Sequence, residues 1–360
     1  MCAMRTEERP IGVGIVGLGR FGEFLLGAYK KMQEVRISAV CDANFQRAWS
    51  LAPEGAQAYE KFEHMLEDPA VELVVIATPP YLHASMAIQA ARAGKHVLVE
   101  KPLATSLEEA EAVIKAARET RVCLTVNHVL RFHPLYQLVF RLIREGIFGE
   151  LELFTLVNLA TNEGLDPLHW FWDVTKSGGI HVEHGVHFFD LCNQLVGAVP
   201  TSVQGYAFVG AHGRVDRVAA VVRYGHKVFA SFYHSFDRPR CVERTTLHLG
   251  LTRGEITVEG WIPVRFVAHG LVGSEDLETL RHRLELPLEV VGLQGSWVQI
   301  RAEIIRPDRQ EDYKRAIQAL MKDFARAILE KRAPSVTPED ALASVAVAIQ
   351  AQQTALLLQG

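Results

Sequence analysis

Three groups of residues in this 360-residue sequence have the types and spacing that chemistry needs. The first is Gly17-Leu18-Gly19-Arg20-Phe21-Gly22, a GxGxxG between the apolar run Ile11–Val16 and a stretch of helix formers. In that setting Gly17 permits a tight turn, Gly19 lets a pyrophosphate approach the backbone, and Gly22 lets helix and strand pack closely. The helix-start N–H groups then face the phosphates. Asp42 ends the second apolar run, where a carboxylate would accept hydrogen bonds from an adenosine ribose. An acid there repels a 2′-phosphate, so NAD is expected in preference to NADP. A glycine turn without a ligand is the plain alternative.

The second group lies at the ends of two later apolar runs. Leu73–Ala77 leads into Thr78, Pro79 and His83, and Val97–Val99 leads into Glu100, Lys101 and Pro102. Ligands of open α/β sheets bind beyond the carboxyl ends of strands, which is where both segments fall. A lysine there can hydrogen-bond an oxygen with developing negative charge, and Glu100 can orient it. An exposed ion pair followed by a turn proline is the competing reading.

The third group is Ser177-Gly178-Gly179-Ile180-His181-Val182-Glu183-His184-Gly185-Val186-His187-Phe188-Phe189-Asp190. On a regular helix Glu183, His187 and Asp190 stand at i, i+4 and i+7 and share a face. A histidine titrates near neutrality and a carboxylate one turn away can hold its tautomer, so Glu183 and His187 form a candidate acid/base pair. Metal ligation by His181, Glu183, His184 and His187 is the rival. The spacing matches neither HExxH nor HxxEH, so no metal is expected. Local hydrogen bonding is the plain alternative for His181 and His184. Asn127, His128 and Arg131 follow the last apolar run of the first half, and Trp170, Trp172 and Asp173 precede the double glycine. Rings beside hydrogen-bonding groups suit polyhydroxylated ligands, although ordinary packing would use the same tryptophans.

The elements that must position these groups come in two styles. Ile11–Val16, Ile37–Cys41, Leu73–Ala77, Val97–Val99 and Cys123–Val126 are nearly unbroken apolar runs. They alternate with helical stretches at Phe21–Met32, Leu82–Ala93 and Leu107–Thr120, the last opened by a Ser106/Glu109 capping box. That alternation predicts a doubly wound parallel sheet, a Rossmann domain over residues 1–130. Residues 131–360 change character. Val218–Tyr224 with Lys227–Phe236, and Thr245–Gly250 with Glu255–Glu259, read as hairpins of a largely antiparallel open sheet. Helices are predicted at Gly179–Val196, Asp312–Glu330 and Pro338–Leu358. No Gly/Ser linker intervenes, so a cleft between the two domains is expected to hold the site.

Composition narrows the remaining choices. The sequence is 49% apolar and 22% charged with a net charge of −4, which excludes disorder and gives no field for nucleic acid or membrane. The five cysteines, Cys2, Cys41, Cys123, Cys192 and Cys241, lack metal-site or disulfide spacing. A polar N-terminus without a signal segment points to the cytoplasm.

GLGRFG, ATPPYLHASMAIQAARAGKHVLVEKPLA, VNHVLRFHPLY, SGGIHVEHGVHFFD and the closing DYKRAIQALMKDFARAILEKRAPSVTPEDA together closely resemble the Gfo/Idh/MocA family of glucose–fructose oxidoreductase and inositol dehydrogenase. The resemblance implies that Lys101 sits beside the nicotinamide and the reacting hydroxyl, and that Lys101-Pro102 is a cis peptide. It also implies that His187 takes the substrate proton, and that Asn127, His128 and Arg131 lie at the substrate end. The family usually has Asp where this chain has Glu183, whose role is therefore open. The implied activity is NAD-dependent oxidation of a secondary hydroxyl of a sugar or polyol. Redox-assisted glycosidase or lyase chemistry and a non-catalytic NAD-binding regulator are the alternatives. An antiparallel sheet with one uncovered face, as in relatives, implies a homodimer or homotetramer.

Overall fold

A computed structural model describes residues 9–359 apart from 211, 276, 278–279 and 282–286. Cys2 and the N-terminal segment read above lie outside the described residues. The chain packs as two compact units: one runs to His128 and takes back Ile317–Val345, and the other holds Val129–Ala316 and the chain from Ala346 onward.

The first unit begins β1 (Ile11–Val16), α1 (Arg20–Tyr29), β2 (Val35–Cys41), α2 (Phe45–Leu51), β3 (Gln57–Tyr59) and α3 (Phe62–Glu67). It continues β4 (Leu73–Ile76), α4 (His83–Arg92), β5 (His96–Val99), α5 (Leu107–Thr120) and β6 (Leu124–Val126). Its six strands are all parallel in the order β3-β2-β1-β4-β5-β6. β1 and β4 are buried along their whole length, which is why their sequences run apolar without alternation. The order reverses beside β1, so the crevice beyond its carboxyl end is the natural dinucleotide site. At the start of α5 the Glu109 N–H donates to Ser106 Oγ at 3.2 Å. The Glu109 carboxylate accepts from the Thr105 hydroxyl at 3.2 Å, so the second half of the expected capping box is taken by a side chain.

The second unit holds α6 (Pro134–Arg144), β7 (Leu151–Thr161), α7 (Val174–Ser177), a π turn (His181–Gly185), α8 (Val186–Val196), β8 (Ser202–Val209), β9 (Val215–Tyr224) and β10 (Val228–Arg238). There follow β11 (Arg244–Leu251), β12 (Gly254–Glu259), β13 (Arg265–Gly273), β14 (Leu288–Gln294), β15 (Trp297–Ile305) and β16 (Leu356–Gln359), while α9 (Arg309–Glu330) and α10 (Pro338–Gln353) are divided, their residues 317–330 and 338–345 lying in the first unit. Among the described residues ten strands form one sheet in the order β14-β15-β13-β12-β11-β7-β10-β9-β8-β16. β7 and β8 each take a parallel neighbour, β10 and β16 respectively, and the other pairs are antiparallel. Burial alternates strictly along β9, β11 and β13, so one face carries the core. The other face carries ion pairs such as Arg265 with Glu259 and Glu303, both at 2.8 Å.

Residues 317–345 belong with the first unit although they lie far beyond residue 130. Thr125 Oγ1 donates to the Val336 carbonyl at 2.8 Å, Gln318 Nε2 to the Ala28 carbonyl at 2.9 Å, and Lys322 pairs with Glu34 at 2.6 Å. The helix predicted to reach Leu358 instead ends at Gln353, and Leu356–Gln359 pairs with β8. Thr354 makes the break: its hydroxyl donates back to the Gln350 carbonyl at 2.7 Å and accepts from the Gly205 N–H at 2.9 Å.

Candidate active site

The turn after β1 has the geometry that a bound phosphate needs. Gly17 has φ +86°, and a Cβ there would lie 2.7 Å from the Ala77 carbonyl oxygen. A Cβ on Gly22 would meet the Gly17 carbonyl oxygen at 1.8 Å, so strand and helix approach as closely as they do only because both are glycines. Gly19 is different: nothing lies within 4 Å of where its Cβ would be. It precedes α1 without a side-chain cap, so no capping side chain takes the helix-start N–H groups. These features fit the diphosphate of NAD. Of the intervening residues, Leu18 is fully buried, Arg20 is exposed, and Phe21 is half-buried against Phe24 at 6.0 Å.

Asp42 shapes the same turn. Its Oδ2 accepts from the Leu18 N–H at 2.8 Å and its Oδ1 from the Asn44 N–H at 2.9 Å. Arg47, which no sequence pattern singled out, donates from Nε to the Leu18 carbonyl and pairs with Glu23 at 3.2 Å. A cation in the first turn of α2 therefore borders the same turn as the carboxylate of Asp42.

Gly17, Thr78, Lys101 and Asn127 follow the carboxyl ends of β1, β4, β5 and β6, four adjacent strands. The Lys101–Pro102 peptide is cis. Behind it His83 is buried, with Nδ1 2.7 Å from the Pro102 carbonyl oxygen and Nε2 2.8 Å from that of Thr78. This ring ties the loop after β4, which includes Pro79, to the loop after β5. A neutral imidazole donates to one of those oxygens, and an imidazolium donates to both. Asn127 is buried and donates from Nδ2 to Glu100 Oε1, so it holds the carboxylate next to Lys101. His128 is buried too, its Nε2 3.2 Å from the Ser344 hydroxyl.

In the second unit Trp170–Trp172 forms a 3₁₀ turn. Phe171 turns into a buried cluster with Ile180, Ala207, Val218 and Phe236, and Trp170 and Trp172 pack on that cluster while staying half-buried. Asp173 caps α7, accepting from the Thr175 N–H at 3.0 Å and the Thr175 hydroxyl at 2.6 Å, and pairs with Lys176 at 3.3 Å. These bonds hold its carboxyl below the usual range. Gly178, with φ +78°, ends α7, and a Cβ there would lie 2.7 Å from Val182 Cγ1.

The helix that follows is not regular. His181–Gly185 forms one π turn before α8 begins at Val186. An α-helical wheel therefore does not describe how Glu183 relates to His187, and the expected shared face is corrected on that point. Glu183 is half-buried, while His187 and Asp190 on α8 are buried. Asp190 takes Arg131 in a two-pronged pair, Nε to Oδ2 at 2.7 Å and Nη2 to Oδ1 at 2.6 Å. The Arg131 guanidinium is thus engaged within the protein.

Long-range packing supplies a residue that local reading missed. Trp261, in the turn between β12 and β13, lies 4.6 Å ring to ring from His187 and 5.0 Å from His184. His184 also meets His234 at 5.4 Å and Phe236 at 5.0 Å. His234 is fully buried, and burial with the neighbouring His184 and His181 holds it well below the usual imidazole range. Burial pushes His181 down to about 4, with the Tyr206 carbonyl pulling weakly the other way. Among the described residues no three His, Cys, Asp or Glu side chains are arranged to hold a metal ion. Nor is any described helix long and apolar enough to cross a membrane.

Residues 11–128 match the profile of the Gfo/Idh/MocA oxidoreductase NAD-binding Rossmann fold, and residues 141–355 match that family's C-terminal alpha/beta domain. The chain is 29% identical over 351 residues to scyllo-inositol 2-dehydrogenase (NAD(+)) of Bacillus subtilis, covering 96% of this chain and 94% of that one. It is 32% identical over 195 residues to 2,7-anhydro-N-acetylneuraminate hydratase of Escherichia coli, covering 54% and 51%. The structure of a levoglucosan dehydrogenase with NADH and L-sorbose superposes with a TM-score of 0.81 at 21% identity, covering 97% of each chain. That of UDP-N-acetylglucosamine 3-dehydrogenase from Acidithiobacillus ferrooxidans gives 0.74 at 21%, covering 97% and 98%.

Proposed function

This chain belongs to the Gfo/Idh/MocA oxidoreductases, NAD-dependent enzymes acting on sugar and polyol hydroxyls, and on that premise we propose that Lys101 and His187 carry the chemistry of a secondary-alcohol dehydrogenase. Bound NAD supplies the hydride acceptor. Lys101 donates a hydrogen bond to the reacting oxygen and stabilises the charge that develops there as the hydroxyl proton leaves. His187 Nε2 or Nδ1 accepts that proton, which an imidazole can do near neutral pH. Glu183 binds a neighbouring hydroxyl or biases the tautomer of His187. Glu100, held by Asn127, orients the Lys101 ammonium. The observation that carries this reading is the row of strand ends in the first unit: the glycine turn after β1 and Lys101 after β5 are separated by one strand, β4.

The substrate is a sugar, an inositol-like polyol or a derivative of one, and the half-buried faces of Trp170, Trp172 and Trp261 provide apolar surfaces for its C–H groups. The test is a panel of sugars and polyols with NADH absorbance followed, NAD and NADP in parallel. Accumulating NADH supports the dehydrogenase. The partial identity with a hydratase favours a second reading, in which NAD is recycled in place. Product released with no net NADH would support that one.

A further inference from the structure

The mouth of the sheet in the second unit holds more positive charge than it neutralises. Three guanidiniums, Arg214, Arg217 and Arg238, stand beside two carboxylates, Asp216 and Asp237, at the ends of β9 and β10. Arg217 takes both carboxylates, Asp216 at 3.1 Å and Asp237 at 3.6 Å, and Arg238 shares Asp237 at 3.2 Å. Arg214 takes neither. It is half-buried, its Cζ lies 3.7 Å over the Trp172 ring, and its buried Nε–H has no hydrogen-bond acceptor among the described residues. The Trp172 Nε1–H beneath it is likewise buried and without an acceptor. A half-buried guanidinium is ordinarily paired, because desolvating it without a partner costs free energy. Stacking on an indole offsets part of that cost and leaves the donor fork unused.

The position of this fork is what gives it meaning. Trp172 touches Phe171 at 4.8 Å, Phe171 touches Phe236 at 4.9 Å, and Phe236 touches His184 at 5.0 Å, with His187 and Trp261 next in line. A chain of ring contacts through the buried Phe171 and Phe236 therefore links the proposed base to Arg214. The backbone holds the arginine there: the Gly210 N–H donates to the Arg214 carbonyl at 2.9 Å and closes the β8–β9 turn.

We propose that Arg214, stacked on Trp172, is an anion subsite that selects substrates carrying a carboxylate or phosphate away from the reacting carbinol carbon. This rests on the dehydrogenase reading and adds a substrate class to it. Several ring widths separate Trp172 from His187, so the anionic group sits on an exocyclic arm or an attached unit, not on the carbon beside the one oxidised. Arg217 and Arg238 each have a carboxylate within 3.2 Å, although Arg238 Nε makes no hydrogen bond to Asp237; Arg214 differs in having no carboxylate partner among the described residues.

The experiment uses matched probes: hexoses, their uronic acids and their 6-phosphates. NADH-loaded enzyme is titrated calorimetrically with each, and kcat/KM with NAD is measured alongside. A charge-assisted pair predicts that one anionic series binds about tenfold to a hundredfold more tightly than the hexoses. The uronate and phosphate arms tell the two anions apart. Arg214→Gln should abolish that ratio through KM, Arg214→Lys should restore part of it, and added chloride should weaken it. Equal binding of neutral and anionic probes by the natural protein, or an unchanged ratio in Arg214→Gln, overturns the proposal. So does a change of oligomeric state in Arg214→Gln, which would give the arginine's partner to a second copy. If Arg214→Gln fails to fold, the chloride dependence and Trp172→Phe decide by the same ratio. Anion binding that depends on Arg214 without any NADH formation would keep the subsite and sink the dehydrogenase reading. NADH formed from neutral probes alone would do the reverse.

Discussion

The Leu18 amide donates to Asp42 Oδ2 at 2.8 Å, so the carboxylate read as a ribose ligand is also a strut of the phosphate-binding turn. Both roles use the same charge. Replacing Asp42 by Ala should leave the Leu18 and Asn44 N–H groups without an acceptor and weaken NAD binding by about 1–3 kcal/mol. Binding of NADP should weaken less, because the like charge opposing its 2′-phosphate is gone and Arg47 remains nearby. Dissociation constants for both cofactors, from quenching of protein fluorescence, should show the NAD preference falling by about tenfold. An unchanged ratio would remove Asp42 from the selector role.

Lys101 and His187 should behave differently from Asp42. Lys101→Ala should lower turnover by about 10²–10³-fold and His187→Ala by about 10²–10⁴-fold. NAD affinity should move little in either, since the glycine turn and Asp42 hold the dinucleotide. Steady-state rates on a substrate found in the panel, set beside cofactor titrations, separate the two effects. A variant with natural turnover is not missing a catalytic group.

Arg131 and Asp190 form a buried pair, with side chains 7% and 2% exposed. Asp190 lies on α8 one turn past His187, so the pair anchors the helix that presents the proposed base. Removing one partner strands the other charge, and Arg131→Met should cost about 3–5 kcal/mol of stability. The double variant Arg131→Met with Asp190→Leu should recover much of that loss, because no unpaired charge remains. Urea denaturation of the natural protein, both single variants and the double variant gives the cycle directly. If the Arg131→Met and double variants are equally unstable, the pair is not what the arginine contributes.

What could be read in the sequence was whatever depends on near neighbours. The β1 run, the glycine turn and Asp42 lie within one βαβ stretch, and the apolar runs showed the parallel order because both sheet faces are buried. The antiparallel hairpins around Gly225 and Gly254 were legible for the same reason, each turn being local. Four features were not. The π turn at His181–Gly185 depends on backbone bonds that side-chain periodicity does not encode. Leu356–Leu358 suits a helix or a strand equally, and Thr354 with Gly205 decides between them. Trp261 reaches His187 across more than seventy residues, and Arg214 reaches Trp172 across forty-two, so no spacing rule links either pair.

The last expectation concerns acid. His181 is fully buried, and burial lowers its pKa from 6.5 to about 4. The unfolded chain therefore binds a proton between those values that the folded chain refuses. Stability from this residue is complete above pH 6.5 and is lost as pH falls toward 4, by about 3 kcal/mol in all. His133, also lowered to about 4 by burial, adds a loss of the same sign, and so does His234. Urea midpoints for the natural protein should thus fall steeply between pH 7 and pH 5. His181→Met has no proton to gain there, so its midpoint should fall less over the same interval, whatever its stability at pH 8. Parallel slopes for the two proteins would mean that His181 is protonated in the fold, and that its burial is compensated by a partner stronger than the Tyr206 carbonyl.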